Sequence, residues 1–213
     1  NAVSSQLSKG MTKPNENFIL DMFFGLAKGK SVILSNIARS LEESIAPIQT
    51  IKRLSSRLEA FHEEDQLIEN YQKVIQPHFQ DKDHLVIVDN SEIIKPYSNK
   101  LEALGKVRDG STGKIEKGYW TTNMIGVTEY TKHPIPMYSH LYSSEEDDFI
   151  SENEETYKGL RHIRNILDKK QATFVMDRDY DNIKMMKQIL GQGDNFVIRL
   201  KKNRHLLYQN KKL

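Results

Sequence analysis

The sequence predicts an α/β (α+β) protein in which a mixed sheet is flanked by helices and preceded by a helical N-terminal subdomain. Three observations predict this architecture. Residues 15–61 carry apolar side chains at helical spacing. Residues 84–88 and 172–176 are short, largely apolar runs rich in β-branched side chains, which is typical of strands buried on both faces. Helical spacing then returns at 157–167 and 183–190, around the second of these strands.

The composition narrows the class of protein. The chain has 213 residues, a formal net charge of +2 and no cysteine, which excludes disulfides and thiolate metal sites. No apolar run approaches the roughly 20 residues of a membrane-spanning helix, and no signal peptide opens the chain. A cytoplasmic protein that does not contact a membrane is therefore expected.

The N-terminal part divides into an arm and a helical region. Residues 1–14 are polar without periodicity and predict a flexible arm. Residues 15–80 predict a helical subdomain whose third helix carries Arg53 and Arg57 opposite an apolar stripe. A basic third helix is typical of helix-turn-helix DNA binding. The alternative is a helical bundle with a solvated, charged face.

The remaining residues, 81–213, predict the main domain. The predicted strands are 84–94, 119–128, 134–141, 172–176 and 195–200, with residues 129–133 as the turn of a hairpin. One helix lies between the third and fourth strands, and another lies between the fourth and fifth. Residues 95–117 are polar and basic, and they predict a long loop that is either functional or a disordered segment at the surface.

Two aspartates end predicted strands, Asp89 after the first and Asp177 after the fourth. If these strands are parallel in one sheet, both carboxylates lie at its carboxyl edge, where open α/β sheets bind ligands. Ser91 should lie on the same side as Asp89, because side chains alternate along a strand. The alternative is that both aspartates only begin turns, a position where Asp is common.

Two neighbouring carboxylates predict a cation. At about 5 Å and an effective dielectric constant near 20, they repel by roughly 3 kcal/mol. Oxygen ligands without cysteine favour Mg²⁺ or Mn²⁺, and two such ions can hold the attacking and leaving oxygens of a phosphodiester. Asp179 and Asp181 are alternatives to Asp177, which is preferred because it closes the strand. The seven histidines have no ligand spacing, and no metal is assigned to them.

Several motifs occur in a fixed order along the chain. They are Val-Ile-Val-Asp89-Asn-Ser91, Lys117-Gly118-Tyr119, Val-Met-Asp177-Arg178 followed by Tyr180-Asp181, and Phe196-Val-Ile-Arg199-Leu-Lys201-Lys202-Asn203. Together with the order of elements, they resemble bacterial insertion-sequence transposases with a DDE catalytic triad, which have a ribonuclease-H-like fold. The resemblance covers residues 15–205, and the N-terminal helices resemble the DNA-binding region of those proteins.

The resemblance implies a function and a set of residues. The chain would be a DNA transposase that cleaves and joins strands at transposon ends, with Asp89 and Asp177 as catalytic ligands of two Mg²⁺ or Mn²⁺ ions. Double-stranded DNA would be the partner, with a homodimer in the DNA complex and the bacterial cytoplasm near the nucleoid as the location. The residues expected to bind DNA are Arg178, Arg199, Lys201, Lys202, Arg53 and Arg57. Ordinary surface charge is the alternative for these basic residues.

The resemblance also implies a third acid, a Glu on a helix downstream of the last strand. No Asp or Glu follows Asp194, so the chain is expected to be a fragment or a natural truncation. A third acid recruited from elsewhere, such as Glu92, is a further alternative. A truncated chain could be a non-catalytic DNA-binding regulator that inhibits the intact transposase. A ribonuclease-H-like nuclease unrelated to transposition is the third hypothesis.

Overall fold

A computed structural model describes residues 2–79, 84–127 and 134–204, with the backbone alone for residues 207–208 and 211–212. The chain divides into two compact units, Asn1–Pro77 and His78–Leu213. Across the described ranges, no helix combines the length and the apolar character needed to cross a bilayer.

The first unit is built from helices alone. They are α1 (Ala2–Leu7), α2 (Lys13–Gly29), α3 (Leu34–Ser40), α4 (Pro47–Glu59) and α5 (Glu64–Ile75), followed by a 3₁₀ turn at Gln76–Phe79. Proline stands in the first turn of α2 and of α4, where its missing N–H costs nothing. Apolar side chains from the helices form one core, which contains Leu7, Phe18, Ile19, Ile37, Ala38, Leu54 and Phe61. The three helices predicted within residues 15–61 are present.

The N-terminal arm differs from expectation. Within residues 1–14, predicted to be a flexible arm, Ala2–Leu7 form α1. The Asn70 side chain on α5 donates hydrogen bonds to the carbonyl oxygens of Leu7 at 2.9 Å and Lys9 at 2.8 Å. A helix this short is not stable alone. Its stability comes from contacts with a distant part of the chain, which local sequence does not reveal.

The second unit contains the sheet. Its strands are β1 (His84–Ile94), β2 (Gly105–Arg108), β3 (Ile115–Val127), β4 (Ile135–Tyr142), β5 (Ala172–Met176) and β6 (Asn195–Ile198), and two-residue strands β7 (Leu207–Tyr208) and β8 (Lys211–Lys212) form a separate pair. Its helices are α6 (Glu152–Ile166) and α7 (Ile183–Gly191), with a 3₁₀ turn at Arg178–Tyr180. The turn predicted at residues 129–133 lies outside the described residues.

The sheet is mixed, and its order is β2-β3-β1-β5-β6, with β4 also paired to β3. β1 is antiparallel to β3 and parallel to β5, and β5 is parallel to β6. Without the short β2, the order β4-β3-β1-β5-β6 places the first and fourth predicted strands side by side and parallel. This is the order of a ribonuclease-H-like sheet, and the predicted fold class is confirmed.

The basic segment 95–117 is more ordered than predicted. Residues 105–108 form β2 and pair with the beginning of β3, so β1, β2 and β3 continue together past the body of the sheet. We call residues 95–118 the hairpin arm. Its turn is organised by Asp109, whose carboxylate accepts hydrogen bonds from Ser111 and Thr112, which lower the pKa of Asp109 to about 2.

The two faces of the sheet are unequal. In β1, Val86 and Val88 are buried, whereas Leu85 is 38% and Ile87 is 40% exposed. The prediction of burial on both faces is therefore wrong for β1, whereas in β5 Thr173 and Val175 on the same face are partly buried. The face with Val86 carries the core of the unit, with buried residues Met124, Leu160, Ile163, Phe174, Met176, Met185 and Ile189 from strands, α6 and α7. We call the other face, which carries Leu85, Ile87 and Asp89, the open face.

Candidate metal and nucleic-acid site

The strand register brings Asp89 and Asp177 together. Val88 of β1 pairs with Met176 of β5 in the parallel part of the sheet. Asp89 and Asp177 follow these residues directly, so they lie at the same level on neighbouring strands. Neighbouring strands are about 4.8 Å apart. The expected proximity of the two aspartates is therefore present at the carboxyl end of β5, although β1 does not end at Asp89 but continues to Ile94, paired with β3.

Each carboxylate is oriented by one short-range hydrogen bond. The Ser91 hydroxyl donates to Asp89 Oδ2 at 3.0 Å, as the strand alternation predicted. Asp177 Oδ1 accepts from the Asp179 backbone N–H at 2.9 Å and so caps the 3₁₀ turn. Both aspartates are exposed, and neither forms an ion pair within the described residues.

A cavity of about 420 Å³ opens beside the pair. Acidic side chains dominate its lining: Asp89, Glu92, Glu152, Asp177 and Asp179. Arg108 is the basic residue among the lining side chains, and no histidine is present there. Carboxylates without imidazole or thiolate groups suit a hard divalent cation such as Mg²⁺. Within the described ranges, however, no group of three acids or histidines is arranged to hold a metal ion.

Sequence reasoning missed Glu152, the first residue of α6. The start of this helix was visible from its cap, and Ser151 indeed accepts a hydrogen bond from the Glu154 backbone N–H. Its position at the cavity depends on how α6 crosses the sheet before β5. The sequence signal that could have placed Glu152 near the pair is that α6 immediately precedes the strand followed by Asp177.

Tyr180 lies beneath the carboxylate pair. Burial raises the pKa of its hydroxyl, and the nearby charges of Asp89 and Asp177 raise it further. The hydroxyl approaches Thr156, which partly offsets this shift, but no hydrogen bond of normal geometry forms. Tyr180 is therefore neutral at physiological pH and gives the cavity a buried aromatic wall.

Asp181, an alternative to Asp177 in the sequence, has a different environment. Its buried carboxylate accepts hydrogen bonds from Arg204 Nε at 2.9 and 3.0 Å and from the Lys201 backbone N–H at 2.8 Å. The Arg204 hydrogen bond, followed by that of Lys201, holds the pKa of Asp181 below its ordinary value. Both oxygens are thus engaged in anchoring residues 199–204. Asp179, the other alternative, is exposed and lines the cavity.

The predicted DNA-binding residues of the second unit lie near this edge. Ile198 pairs with Met176, so Arg199 follows β6 at the level of Asp177 and is exposed. Lys201 and Lys202 are exposed in the segment that Asp181 anchors. Arg178 is only half exposed, and its Nε is buried without a hydrogen-bond partner in the described structure.

Arg53 and Arg57 of the first unit differ from each other. The Arg53 guanidinium forms ion pairs with Asp21 at 2.6 Å and Glu43 at 2.7 Å, and the Asp21 hydrogen bond raises its pKa. Arg53 therefore bridges α2 and the loop before α4. Arg57 is exposed on α4 and has no ion pair within the described residues.

A polar row crosses the open face at the level of the pair. Asn123 of β3 is directly opposite Asp89, and Ser139 of β4 is opposite Asn123. The Ser139 hydroxyl donates to Asn123 Oδ1 at 2.8 Å. Asp177 keeps an extended backbone, so the row continues from Asp89 through Asp177 to Arg199. The sequence does not predict this row, because it depends on the register of five strands.

Several solved structures are similar to this chain, and two of them are a transposase complex with DNA and a strand transfer complex. A piggyBac transposase synaptic complex with hairpin DNA matches with a TM-score of 0.45 and 12% sequence identity, over 95% of this chain and 47% of that chain. The Mos1 strand transfer complex matches with a TM-score of 0.31 and 12% identity, over 90% of this chain and 59% of that chain. The chain thus spans about half the length of the first of these. No protein-family model and no curated protein sequence matches it.

Proposed function

We propose that the chain is a DNA transposase core that cleaves and joins DNA strands at the Asp89 and Asp177 site. The observation that carries this proposal is the shared level of the two carboxylates on parallel neighbouring strands, at an open cavity lined by further acids. Charges of like sign repel at short range, and a divalent cation bound between the two carboxylates would offset this repulsion. Within this proposal, the chain acts as a homodimer on transposon ends, and its relatives are bacterial insertion-sequence transposases with a DDE triad.

Asp89 and Asp177 would hold Mg²⁺ or Mn²⁺. Bound divalent ions would activate the attacking oxygen and stabilise negative charge on the phosphate. The protein contributes orientation: Ser91 fixes one carboxylate and the Asp179 backbone N–H fixes the other. Arg199, at the level of Asp177, would contact a neighbouring phosphate of the DNA strand that is cleaved.

The DNA would approach through basic residues at the same edge. Residues 199–204 carry Arg199, Lys201 and Lys202 as exposed cations, and the buried Asp181 fixes this segment through Arg204. A fixed basic segment binds phosphates at a smaller entropic cost than a mobile one. Arg178, Arg57 and Arg53 are the further proposed contacts, and Arg53 would have to leave its two carboxylate partners.

The direct test replaces Mg²⁺ by Fe²⁺ and adds ascorbate, so that radicals form wherever the ion binds. The proposal expects backbone scission near residues 89 and 177, competition by Mg²⁺, and cuts in a bound DNA duplex. Asp89→Asn and Asp177→Asn should abolish both patterns, whereas Asp147→Asn, an exposed acid in a loop, should not. Scission that is unchanged in both Asp89→Asn and Asp177→Asn would refute the site.

A non-catalytic DNA-binding regulator is the second candidate. It is favoured by one observation: no third acid or histidine joins the pair in ligand geometry among the described residues. This candidate predicts that the Asp89→Asn, Asp177→Asn double variant binds duplex DNA as tightly as the wild-type chain. It also predicts that neither protein nicks supercoiled plasmid in Mn²⁺. Nicking by the wild-type chain that the double variant lacks would exclude it.

A further inference from the structure

Three lysines form a row across the hairpin arm. Lys106 of β2 is paired directly with Lys117 of β3. On the other side of β3, the Lys95 backbone N–H donates to the Lys117 carbonyl oxygen at 2.7 Å, which continues the pairing of Ile94 with Gly118. Lys95, Lys117 and Lys106 therefore lie at one level on three adjacent strands. We call them the lysine row.

The lysine row is on the same face of the sheet as the acidic pair. Lys95, which directly follows β1 and continues its pairing with β3, is six positions after Asp89, and Lys117 is six positions before Asn123 on β3. Because side chains alternate along a strand, an even separation keeps them on one face. All three lysines are exposed, and the open face thus carries acids at one end and lysines at the other.

The positive charge of the row is not neutralised. None of the three lysines forms an ion pair in the part of the chain that the structure describes, and Lys117 Nζ donates to the neutral Asn99 side chain at 2.5 Å. Residues 95–117 contain six basic and three acidic residues, a net charge of +3. Of those acids, Asp109 is occupied by its own turn. Like charges directly opposite on a ladder destabilise a sheet, so this arrangement favours a polyanionic partner.

We propose that the lysine row binds the sugar-phosphate backbone of duplex DNA whose reacting phosphate lies at Asp89 and Asp177. This inference rests on the proposed function and adds a second contact point on the same duplex. Six residues of strand span about 20 Å, which corresponds to roughly six base pairs of duplex axis. The row would therefore contact the duplex roughly six base pairs from the cleaved phosphate and fix the direction in which the duplex leaves the site.

The arm is held in place relative to the acidic pair. Glu92 Oε1 accepts a hydrogen bond from the Gly110 backbone N–H at 2.6 Å, which ties the turn of the arm to β1. The Tyr119 hydroxyl on β3 donates to the Glu102 carbonyl oxygen at 2.5 Å, which connects β3 to the loop that precedes β2. A fixed arm can hold a rigid duplex at a constant distance from the acidic pair.

The test measures binding of a 30-base-pair duplex of random sequence by the full chain, in EDTA, across a salt series. The row variant is Lys95→Gln, Lys106→Gln, Lys117→Gln. Its matched control is Lys9→Gln, Lys73→Gln, Lys187→Gln, three exposed lysines elsewhere. Each phosphate contact contributes about 0.9 to the slope of log K against log salt. The slope should therefore fall by about 3 in the row variant and stay unchanged in the control.

The outcomes separate this inference from the proposed function. If the wild-type chain does not bind the duplex, both are overturned. If it binds and the two triple variants have equal slopes, the lysine row is overturned and the proposed function stands. The same variants are also measured with single-stranded oligo(dT). If the row variant loses affinity for oligo(dT) but not for the duplex, the assignment of the row to duplex DNA is overturned. Without DNA, the row variant should also melt roughly 1–3 °C higher than the control, since removing like-charge pairs stabilises a sheet.

Discussion

Two pairs of aspartates near β5 and β6 differ in what surrounds them. Asp181 and Asp194 are buried, and each is paired with an arginine and accepts a backbone N–H. Asp177 and Asp179 are exposed at the cavity and have no cationic partner within the described residues. Residue type does not distinguish Asp177 from Asp181, and their positions in the sequence differ only in that Asp177 directly follows the strand. The two residues are distinguished by the partners of their carboxylates.

This difference teaches which acids hold the fold and which are available for chemistry. A buried carboxylate is tolerated only when it is paired and hydrogen-bonded, so its removal leaves an unpaired cation. An exposed carboxylate beside a second one has no ion pair to lose, and its contribution to stability is limited to a local hydrogen bond, as at Asp89 and Asp177. The fold therefore predicts opposite effects for substitutions that are only a few residues apart.

Asp194→Ala should give the largest loss of stability. The Asp194 side chain is 1% exposed, and it bonds Arg164 Nη1 at 2.5 Å and the Ala172 backbone N–H at 3.0 Å. Breaking a buried ion pair costs roughly 3–5 kcal/mol, which urea titration would detect as a lower free energy of unfolding. The exposed Asp147→Ala is the control and should change stability by less than about 0.5 kcal/mol. Equal effects of the two substitutions would contradict the structural role of Asp194.

Asp181→Asn should release residues 199–204 with a smaller effect on the whole protein. Limited proteolysis should cut near Lys201 and Lys202 faster than in the wild-type chain, and Asp179→Asn should leave the rate unchanged. Because the folded-state pKa of Asp181 is lowered, its stabilisation is present above the ordinary pKa near 3.9. It disappears as the pH falls through the folded-state pKa. The proteolysis difference should therefore be full at neutral pH and vanish in strong acid; a difference independent of pH would count against the ion pair.

Asp89→Asn and Asp177→Asn should leave stability unchanged or slightly raised without metal, since each removes repulsion between exposed groups. Both should weaken Mn²⁺ binding by at least the roughly 10–100-fold known for residues that only support a ligand. Calorimetric titration with Mn²⁺ measures this directly. If either variant unfolds more easily and binds Mn²⁺ normally, the division between structural and functional acids is wrong.

Ser91→Ala should give the smallest effect. It removes the hydroxyl that orients Asp89, and a hydrogen bond of about 0.5–1.5 kcal/mol corresponds to a roughly 2–12-fold weaker Mn²⁺ affinity. Ser55→Ala, at an exposed position on α4, is the control. An affinity equal to that of the control would show that Asp89 is oriented without Ser91.

The sequence predicted the fold and the two neighbouring aspartates from local signals and from the order of elements along the chain. Apolar runs that end in Asp revealed β1 and β5, and the order of elements indicated that these strands are neighbours. The cap at Ser151 located the beginning of α6. The apolar runs and the cap each lie within a few residues, so distant parts of the chain do not change them.

The rest depends on contacts between distant residues. The pairing of Arg204 with Asp181 and the tether from Asn70 to α1 join residues far apart in sequence. The lysine row requires the register of β2, a four-residue strand that resembles a loop. An apolar run also cannot show whether one or both faces are buried, and for this reason the open face was missed.

Asp89 and Asp177, and not Asp181, are the residues that we propose form the cation site. The most direct measurement is anomalous scattering from a crystal of the protein soaked in Mn²⁺. We expect a peak bonded to carboxylate oxygens of both Asp89 and Asp177, which is lost in Asp89→Asn. A peak at Asp181, or no peak with the two carboxylates adjacent, would contradict it.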